Sequence, residues 1–299
     1  YFVNNDIEFI KIMPDLKAAP LPEGCFLNAA FTSKFKANQL MMIADLYEQD
    51  LIRDDDRFFF SDIWFPGIES IAYMNYFHKK TAKITGIIHA GSFTDTDFVR
   101  DLERWAKNFE DIVFDISDTI YCASNFIRDD IIQKRMVDPS KFVVSGLPVD
   151  YETLGCYDTS RKADRVIFNG RICDEKQPHL FDKLEQRVKE VMGRTDIEFV
   201  KTQDLGLNKD QYYQLLAESK CVVSYALQEN FGFGIAEAAY LGCTPVLPNR
   251  LVYPELYDEK YLFDTHEESV IMVCDALQQQ YQDSVELNCD PLETWFGQR

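Results

Sequence analysis

The sequence predicts an α/β protein of two Rossmann-like domains, each an open parallel sheet flanked by helices. Three observations carry that expectation. Apolar runs of about five residues alternate with amphipathic runs of about ten to fifteen, the rhythm of repeated βαβ units. The 299 residues suffice for two domains of about 150 residues each. A polar, aperiodic stretch from Tyr151 to Asp164 reads as a linker and divides the chain into residues 1–150 and 151–299.

Composition narrows the classes of function. Hydrophobic residues at 46% and aromatics at 14% fit a packed globular protein. A net charge of −19 argues against a generally basic nucleic-acid binder and against docking on anionic lipid, although a local basic groove is compatible with it. The acid is uneven: residues 251–299 hold eleven Asp and Glu against two Lys and Arg, as on a solvated outer face. The eight cysteines show no Cys-x-x-Cys, and several, such as Cys122 and Cys221, fall in apolar runs. They read as small buried hydrophobes in a reducing cytoplasm. No apolar run approaches the roughly 20 residues of a membrane span, and no signal peptide is recognisable. The first residue is Tyr1 and not methionine, which leads us to expect residues before it.

In chain order, Ile7 to Met13 alternates and predicts a strand closed by Pro14. Pro20, Pro22 and Gly24 punctuate a loop, after which Ser33 is placed as the cap of a helix to Leu51. Phe58 to Phe60, with Ile63 and Trp64, reads as a buried strand, and Pro66 opens a helix. Ile84 to Ile88 is a strand with His89 at its C-terminal end, where open α/β sheets bind ligands. A packed, satisfied histidine is the other reading of that position. Thr94-Asp95-Thr96-Asp97 contains an Asp-x-Asp triplet, which reads better as a loop capping the helix of Leu102 and Trp105 than as a metal site. Strands follow at Thr119 to Ala123 and Phe142 to Ser145, with a helix from Asn125 to Lys134 between them. The second half repeats the rhythm, with strands at 165–169, 197–201, 221–225 and 244–247 and helices at 174–192, 208–219, 235–241 and 267–280. A tail at 291–299 is expected to pack back on the N-terminal domain.

Two constellations carry chemistry. Gly170-Arg171 and Lys176 sit at a strand-to-helix turn, where an Arg fork and a compact Lys charge can clamp a diphosphate. Surface cations on a helix start would look the same. Glu229-Asn230-Phe231-Gly232-Phe233-Gly234 links a strand to a helix bearing Glu237. Bare backbone at the glycines and the helix N-terminus make an anion site, and the two carboxylates suit sugar hydroxyls. Spacing alone equally fits an ordinary strand, loop and helix with a solvated Glu at each end.

Glu229, Phe231, Gly232 and Glu237 resemble the Glu-x7-Glu signature of retaining GT-B glycosyltransferases, closest to family 4. Gly170, Arg171 and Lys176 resemble that family's Gly-Arg-x-x-x-x-Lys-Gly element, with Gln177 in place of the second glycine. Gly146-Leu-Pro-Val-Asp150 also resembles the element before its linker. The resemblance implies two domains facing across a cleft and transfer of a hexosyl or pentosyl group from a nucleotide-diphosphate sugar. It implies sugar contacts at Glu229 and His89, phosphate contacts at Arg171, Lys176 and Gly232 to Gly234, and a ribose contact at Glu237. It implies no metal and no cofactor beyond the co-substrate. The first domain lacks the family's Gly-Gly after its first strand, which leaves the acceptor open: a glycan, a small molecule, or a hydroxymethylated base in DNA. For DNA, Lys34, Lys36, Lys79, Lys80 and Lys83 would supply charge. A GT-B module that binds a nucleotide sugar without turnover is the alternative, and an epimerase lacks its Gly-x-Gly-x-x-Gly.

Overall fold

The computed structural model describes residues 7–17, 20, 27–97, 99–279, 283–287 and 289–297. The chain divides into two compact units. One comprises Tyr1–Ala123, Arg128–Val144 and Trp295–Arg299, and the other Ser124–Ile127 and Ser145–Thr294.

Unit 1 opens with α1 (Ala29–Glu48), which starts earlier than Ser33 because Asn28 caps it, its side chain accepting from Phe31 N–H. There follow β1 (Arg57–Phe60), α2 (Glu69–His78), β2 (Lys83–Ile88), α3 (Glu103–Ile116), β3 (Thr119–Cys122), most of α4 (Asn125–Lys134) and β4 (Phe142–Val144). The sheet is parallel in the order β1-β2-β3-β4. Ile63 and Trp64 lie beyond β1, after a bend at Ser61 and Asp62. Ile63 N–H instead reaches the Ile87 carbonyl at 2.8 Å.

The strand expected over Ile7 to Met13 does not form. Its alternation names a face to bury but supplies no neighbouring strand, and Phe9, Ile10 and Met13 stay 55%, 68% and 52% exposed. Gln39 Nε2 ties the segment to α1 by donating to the Ile12 carbonyl. Pro22 and Gly24 lie outside the described residues. At the far terminus Trp295 and Phe296, counted in unit 1, pack on Phe59 as tilted rings with centroids 5.4 and 4.7 Å away, and the Arg57 guanidinium lies over the Phe296 ring.

Unit 2 contains α5 (Tyr151–Leu154), β5 (Ala163–Phe168), α6 (Pro178–Met192), β6 (Glu198–Lys201), α7 (Lys209–Ala217), β7 (Ser219–Val223), α8 (Phe233–Tyr240), β8 (Thr244–Pro248), α9 (Tyr253–Leu256), β9 (Leu262–Phe263), α10 (His266–Gln278) and most of α11 (Pro291–Phe296). The polar stretch at 151 is thus a one-turn helix, capped where Asp150 accepts from Thr153 N–H and hydroxyl. The sheet is parallel in the order β6-β5-β7-β8-β9. Val166, Phe168, Cys221, Val223 and Val246 on the strands pack with Phe181 and Leu184 of α6 and Val270 and Val273 of α10. Cys122 and Cys221 are fully buried, and burial lifts the Cys122 thiol to about 12, so both behave as small hydrophobes. No helix among the described residues is long and apolar enough to cross a membrane.

Candidate functional site

The order of the unit 2 sheet locates the site. From β5 the chain goes to β6 on one side, then returns to β7 on the other. Loops leaving β5 and β7 therefore diverge, and a crevice opens at their C-terminal ends. Asn169 and Gly170 follow β5, and residues 224–232 follow β7 and lead into α8.

Backbone requirements explain the two glycines. Gly232, the residue before α8, has φ +82°, a left-handed conformation that a side chain would strain. At Gly234 a Cβ would stand 2.9 Å from Asn169 Nδ2. Without one, Asn169 Nδ2 donates to the Gly234 carbonyl at 2.6 Å and joins the β5 turn to the first turn of α8. The first N–H groups of that helix have no intrahelical acceptor and carry the positive end of its dipole.

Lys176 ends a short turn of 3-10 helix, is 8% exposed, and donates to the Gln228 carbonyl and to Glu229 Oε2, the latter at 3.2 Å. Gln177, where the resemblance expects glycine, has φ +52°, so the residue that departs from the pattern occupies a left-handed conformation that glycine would adopt freely. Leu227 N–H donates to the Glu175 carbonyl at 2.7 Å, and Arg250 reaches the carbonyls of Tyr225 and Ala226, both at 3.0 Å. The two turns are thereby one framework.

Glu229 lies under the Gly232 turn, its Oε1 accepting from Asn230 N–H at 3.2 Å. Beside it Tyr253 is fully buried, with its hydroxyl 2.8 Å from Ser224 Oγ. Burial, reinforced by the Glu229 charge, lifts that phenol well above its usual value, so it stays a neutral hydrogen-bonding group. Asn169, Lys176, Ser224, Glu229, Gly234 and Tyr253 line a cavity of about 80 Å³. A second cavity, of about 370 Å³, shares Asn169 and Gly170 and adds Arg171, Gln203, Lys209 and Tyr212.

The remaining expected residues are distributed as follows. Arg171, half-exposed, is ion-paired with Glu175 four residues on. Phe231 is buried and its ring lies 5.1 Å from that of the more exposed Phe233. Asn230 accepts from Gln228 Nε2 at 3.1 Å. Glu237 lines neither cavity, and its Oε1 accepts from Lys209 at 2.7 Å and from the Tyr213 hydroxyl at 2.8 Å. Burial alone would lower the Lys209 pKa; the bonds to Glu237 and Tyr213 outweigh it and raise it. His89 belongs to unit 1, at the end of β2, with Nε2 2.7 Å from the Ser61 carbonyl. That oxygen can only accept, so the ring proton sits on Nε2.

The acidic triplet is engaged by the protein's own groups, one of them on α4. Asp95 pairs with Lys134 at 3.2 Å, and Asp97 accepts from Val99 N–H. The helix behind it is not capped by Thr96 or Asp95, as the sequence suggests, but is entered through a turn of 3-10 helix over Arg100–Leu102. Of the five basic candidates, Lys36 donates to the Trp64 carbonyl and pairs with Asp62, and Lys80 pairs with Asp50.

Sequence reading missed Asn169, Ser224, Gln203, Lys209, Tyr212 and Tyr253. All but Tyr253 follow a strand or open a helix at the C-terminal end of the sheet, so position relative to β5, β6 and β7 was a usable signal for them. Tyr253, in α9, is brought in only by folding.

No protein family model matches the chain. Over 101 residues it is 34% identical to the tRNA-queuosine alpha-mannosyltransferase of Drosophila melanogaster, a match that covers 34% of this chain and 25% of the relative. Among solved structures it is similar to TarM, with a TM-score of 0.59 at 15% identity over 87% of this chain and 58% of TarM. An α,α-trehalose-phosphate synthase (UDP-forming) from Burkholderia vietnamiensis gives a TM-score of 0.59 at 11% identity, over 84% of this chain and 69% of that one. The pneumococcal O-GlcNAc transferase GtfA gives 0.53 at 13%, over 81% and 54%. The chain shares the GT-B fold of these glycosyltransferases, and spans a quarter of the curated relative and just over half of TarM.

Proposed function

We propose that the chain is a retaining glycosyltransferase, moving a hexosyl group from a nucleoside-diphosphate sugar to an acceptor hydroxyl. The observation that carries this reading is Lys176, a nearly buried ammonium held against Glu229 at the cavity before α8. A buried cation beside a carboxylate and a helix N-terminus is suited to a diphosphate whose charge grows as its bond to the sugar breaks.

In this reading the larger cavity takes the nucleoside, with Asn169, Gln203, Lys209 and Tyr212 around it. Glu237 is the proposed ribose contact: it lines neither cavity as they stand, and it reaches the ribose by exchanging its bond to Lys209, which lines the larger one. Arg171 turns from Glu175 to the diphosphate beside Lys176. The anomeric C–O bond breaks with its electron pair passing to the diphosphate, and the acceptor oxygen bonds to the same carbon as its proton passes to the leaving diphosphate. Glu229 orients the sugar hydroxyls and offsets the positive charge developing on the ring. His89 contributes a sugar contact from unit 1. Arg171, Lys176 and the α8 N-terminus carry the leaving charge, and the reading calls for no metal.

Similarity to a tRNA-queuosine alpha-mannosyltransferase supports mannose as the sugar and a nucleoside hydroxyl in RNA as the acceptor. It favours RNA over the hydroxymethylated DNA base suggested by the sequence. The test is a thermal-shift panel of UDP-, GDP- and ADP-sugars, followed by transfer of labelled sugar to tRNA, DNA and free oligosaccharide. A rise in melting temperature with one donor and label in tRNA are expected. No shift with any donor overturns the glycosyltransferase reading, and label in DNA or oligosaccharide alone overturns the RNA acceptor. Donor binding without transfer or hydrolysis would mean a binding module.

A further inference from the structure

Unit 1 holds a buried acid–base network that the proposed reaction does not touch. Glu110 on α3 is 1% exposed, and Arg135, just past α4, places Nη2 3.1 Å from Glu110 Oε2. The same carboxylate accepts from Ser92 N–H at 2.6 Å, from Ser92 Oγ at 2.7 Å and from Trp64 Nε1 at 3.2 Å. Those donors lie on the two segments that flank His89. Trp64 follows Ser61, whose carbonyl holds the imidazole, and Ser92 follows His89 itself. The loop's carbonyls are held as well: Arg100 Nη1 donates to Ser92 O at 2.8 Å and Lys134 Nζ to Phe93 O at 2.7 Å.

A buried carboxylate is tolerated only when its acceptor sites are met, and an apolar replacement for a buried ion pair is often neutral for stability. Packing alone therefore does not call for Glu110. An apolar side chain would leave Trp64 and Ser92 untied, and with them both sides of the imidazole.

We propose that Glu110 is a positioning residue for His89, clamping the 61–65 and 89–94 segments so that the imidazole keeps one orientation. This rests on the reading of His89 as a sugar contact. Transfer is sensitive to such placement, because a displacement of about 1 Å costs about 100-fold in rate.

Three variants of the whole chain test it. E110Q/R135M removes both charges but keeps an amide oxygen for Ser92 N–H and Trp64 Nε1–H. E110A/R135M removes the acceptors too, and Ser92→Ala removes one hydroxyl and leaves the pair. The first should keep kcat within about threefold and the second lose about 100-fold, with donor KM within about twofold in both. Ser92→Ala should fall between them. Amide exchange over 61–65 and 89–94 should quicken in E110A/R135M and stay as in the parent in E110Q/R135M. The proposal is overturned if E110A/R135M keeps kcat, if kcat follows melting temperature alone across the three variants, or if exchange in both segments is unchanged. Exchange is read without substrate, so a parent that transfers no sugar removes the proposed function while exchange still decides whether Glu110 clamps the loop.

Discussion

The C-terminal ends of the two sheets solve different problems. In unit 2 the strand order reverses between β5 and β7, so the loops part and leave cavities edged by Lys176, Glu229 and Gly234. In unit 1 the described strands run in sequence, β1 to β4, and the loop after β2 is closed down on a buried carboxylate. The same βαβ unit thus gives an opening where the topology switches and a fixed wall where it does not. In the proposed reaction, unit 2 supplies charge for the leaving group and unit 1 supplies placement.

Lys176→Ala gives the largest expected effect. It removes the buried ammonium, takes from Glu229 its cationic partner and, in the proposed reading, removes one of the two cations that hold the diphosphate. Turnover should fall by about 10³, the upper end for loss of one preorganised electrostatic contact, and donor affinity should fall with it. Isothermal titration with the donor and initial rates measure both. His89→Ala should be milder, about 10- to 100-fold in kcat with donor affinity nearly unchanged, because placement and not charge is lost. Equal losses of donor affinity in the two variants would end the distinction between a charge-bearing and a positioning unit.

How much of this was legible depended on whether a residue's role is local. The strands and helices of unit 2 follow from apolar periodicity and from caps such as Asn208, which forms a capping box with Gln211 at the start of α7. Lys176 and Glu229 were found because each lies in a single strand-to-helix turn whose residues resemble a family motif, while spacing alone left an ordinary surface turn open. Asn169 and Tyr253 escaped because the first acts through Gly234 and the second through Ser224, pairings made only when β5, β7 and α9 meet. Ile7 to Met13 misled for the converse reason: alternation is local, but a strand needs a partner. Glu110 carries no signal in the sequence beyond its charge, and only the contacts with Ser92, Trp64 and Arg135 reveal its role.

Gly232→Ala probes the unit 2 turn at smaller amplitude. Forcing a side chain to φ +82° should cost about 1–2 kcal/mol, lower the melting temperature of unit 2, and weaken donor binding as the first turn of α8 shifts. Differential scanning calorimetry with and without donor separates the two losses. A variant as stable as the parent, with unchanged donor affinity, would mean that the left-handed turn does not set the geometry of the site.

The smallest effect belongs to the opposite end of β5 from Asn169. There Asp164 accepts from Arg194 Nη1 and Lys220 Nζ, each at 2.7 Å. Burial pushes the Asp164 pKa up, but the bonds from Lys220 and Arg194 together push it further down, so the folded-state value lies below the ordinary one. A carboxyl with a depressed folded pKa contributes stability above its unfolded pKa, near 3.9, and loses that contribution as pH falls toward the folded value. Asp164→Asn should therefore cost about 0.5–1 kcal/mol at pH 7, and the gap between variant and parent should close in acid below about pH 3.9. Melting curves across that range measure it. Because Asp164 sits at the start of β5 and Asn169 follows its end, kcat at pH 7 should not change. A gap that is constant with pH would show that Asp164 acts through packing, and a changed kcat would show that both ends of the strand matter to the site.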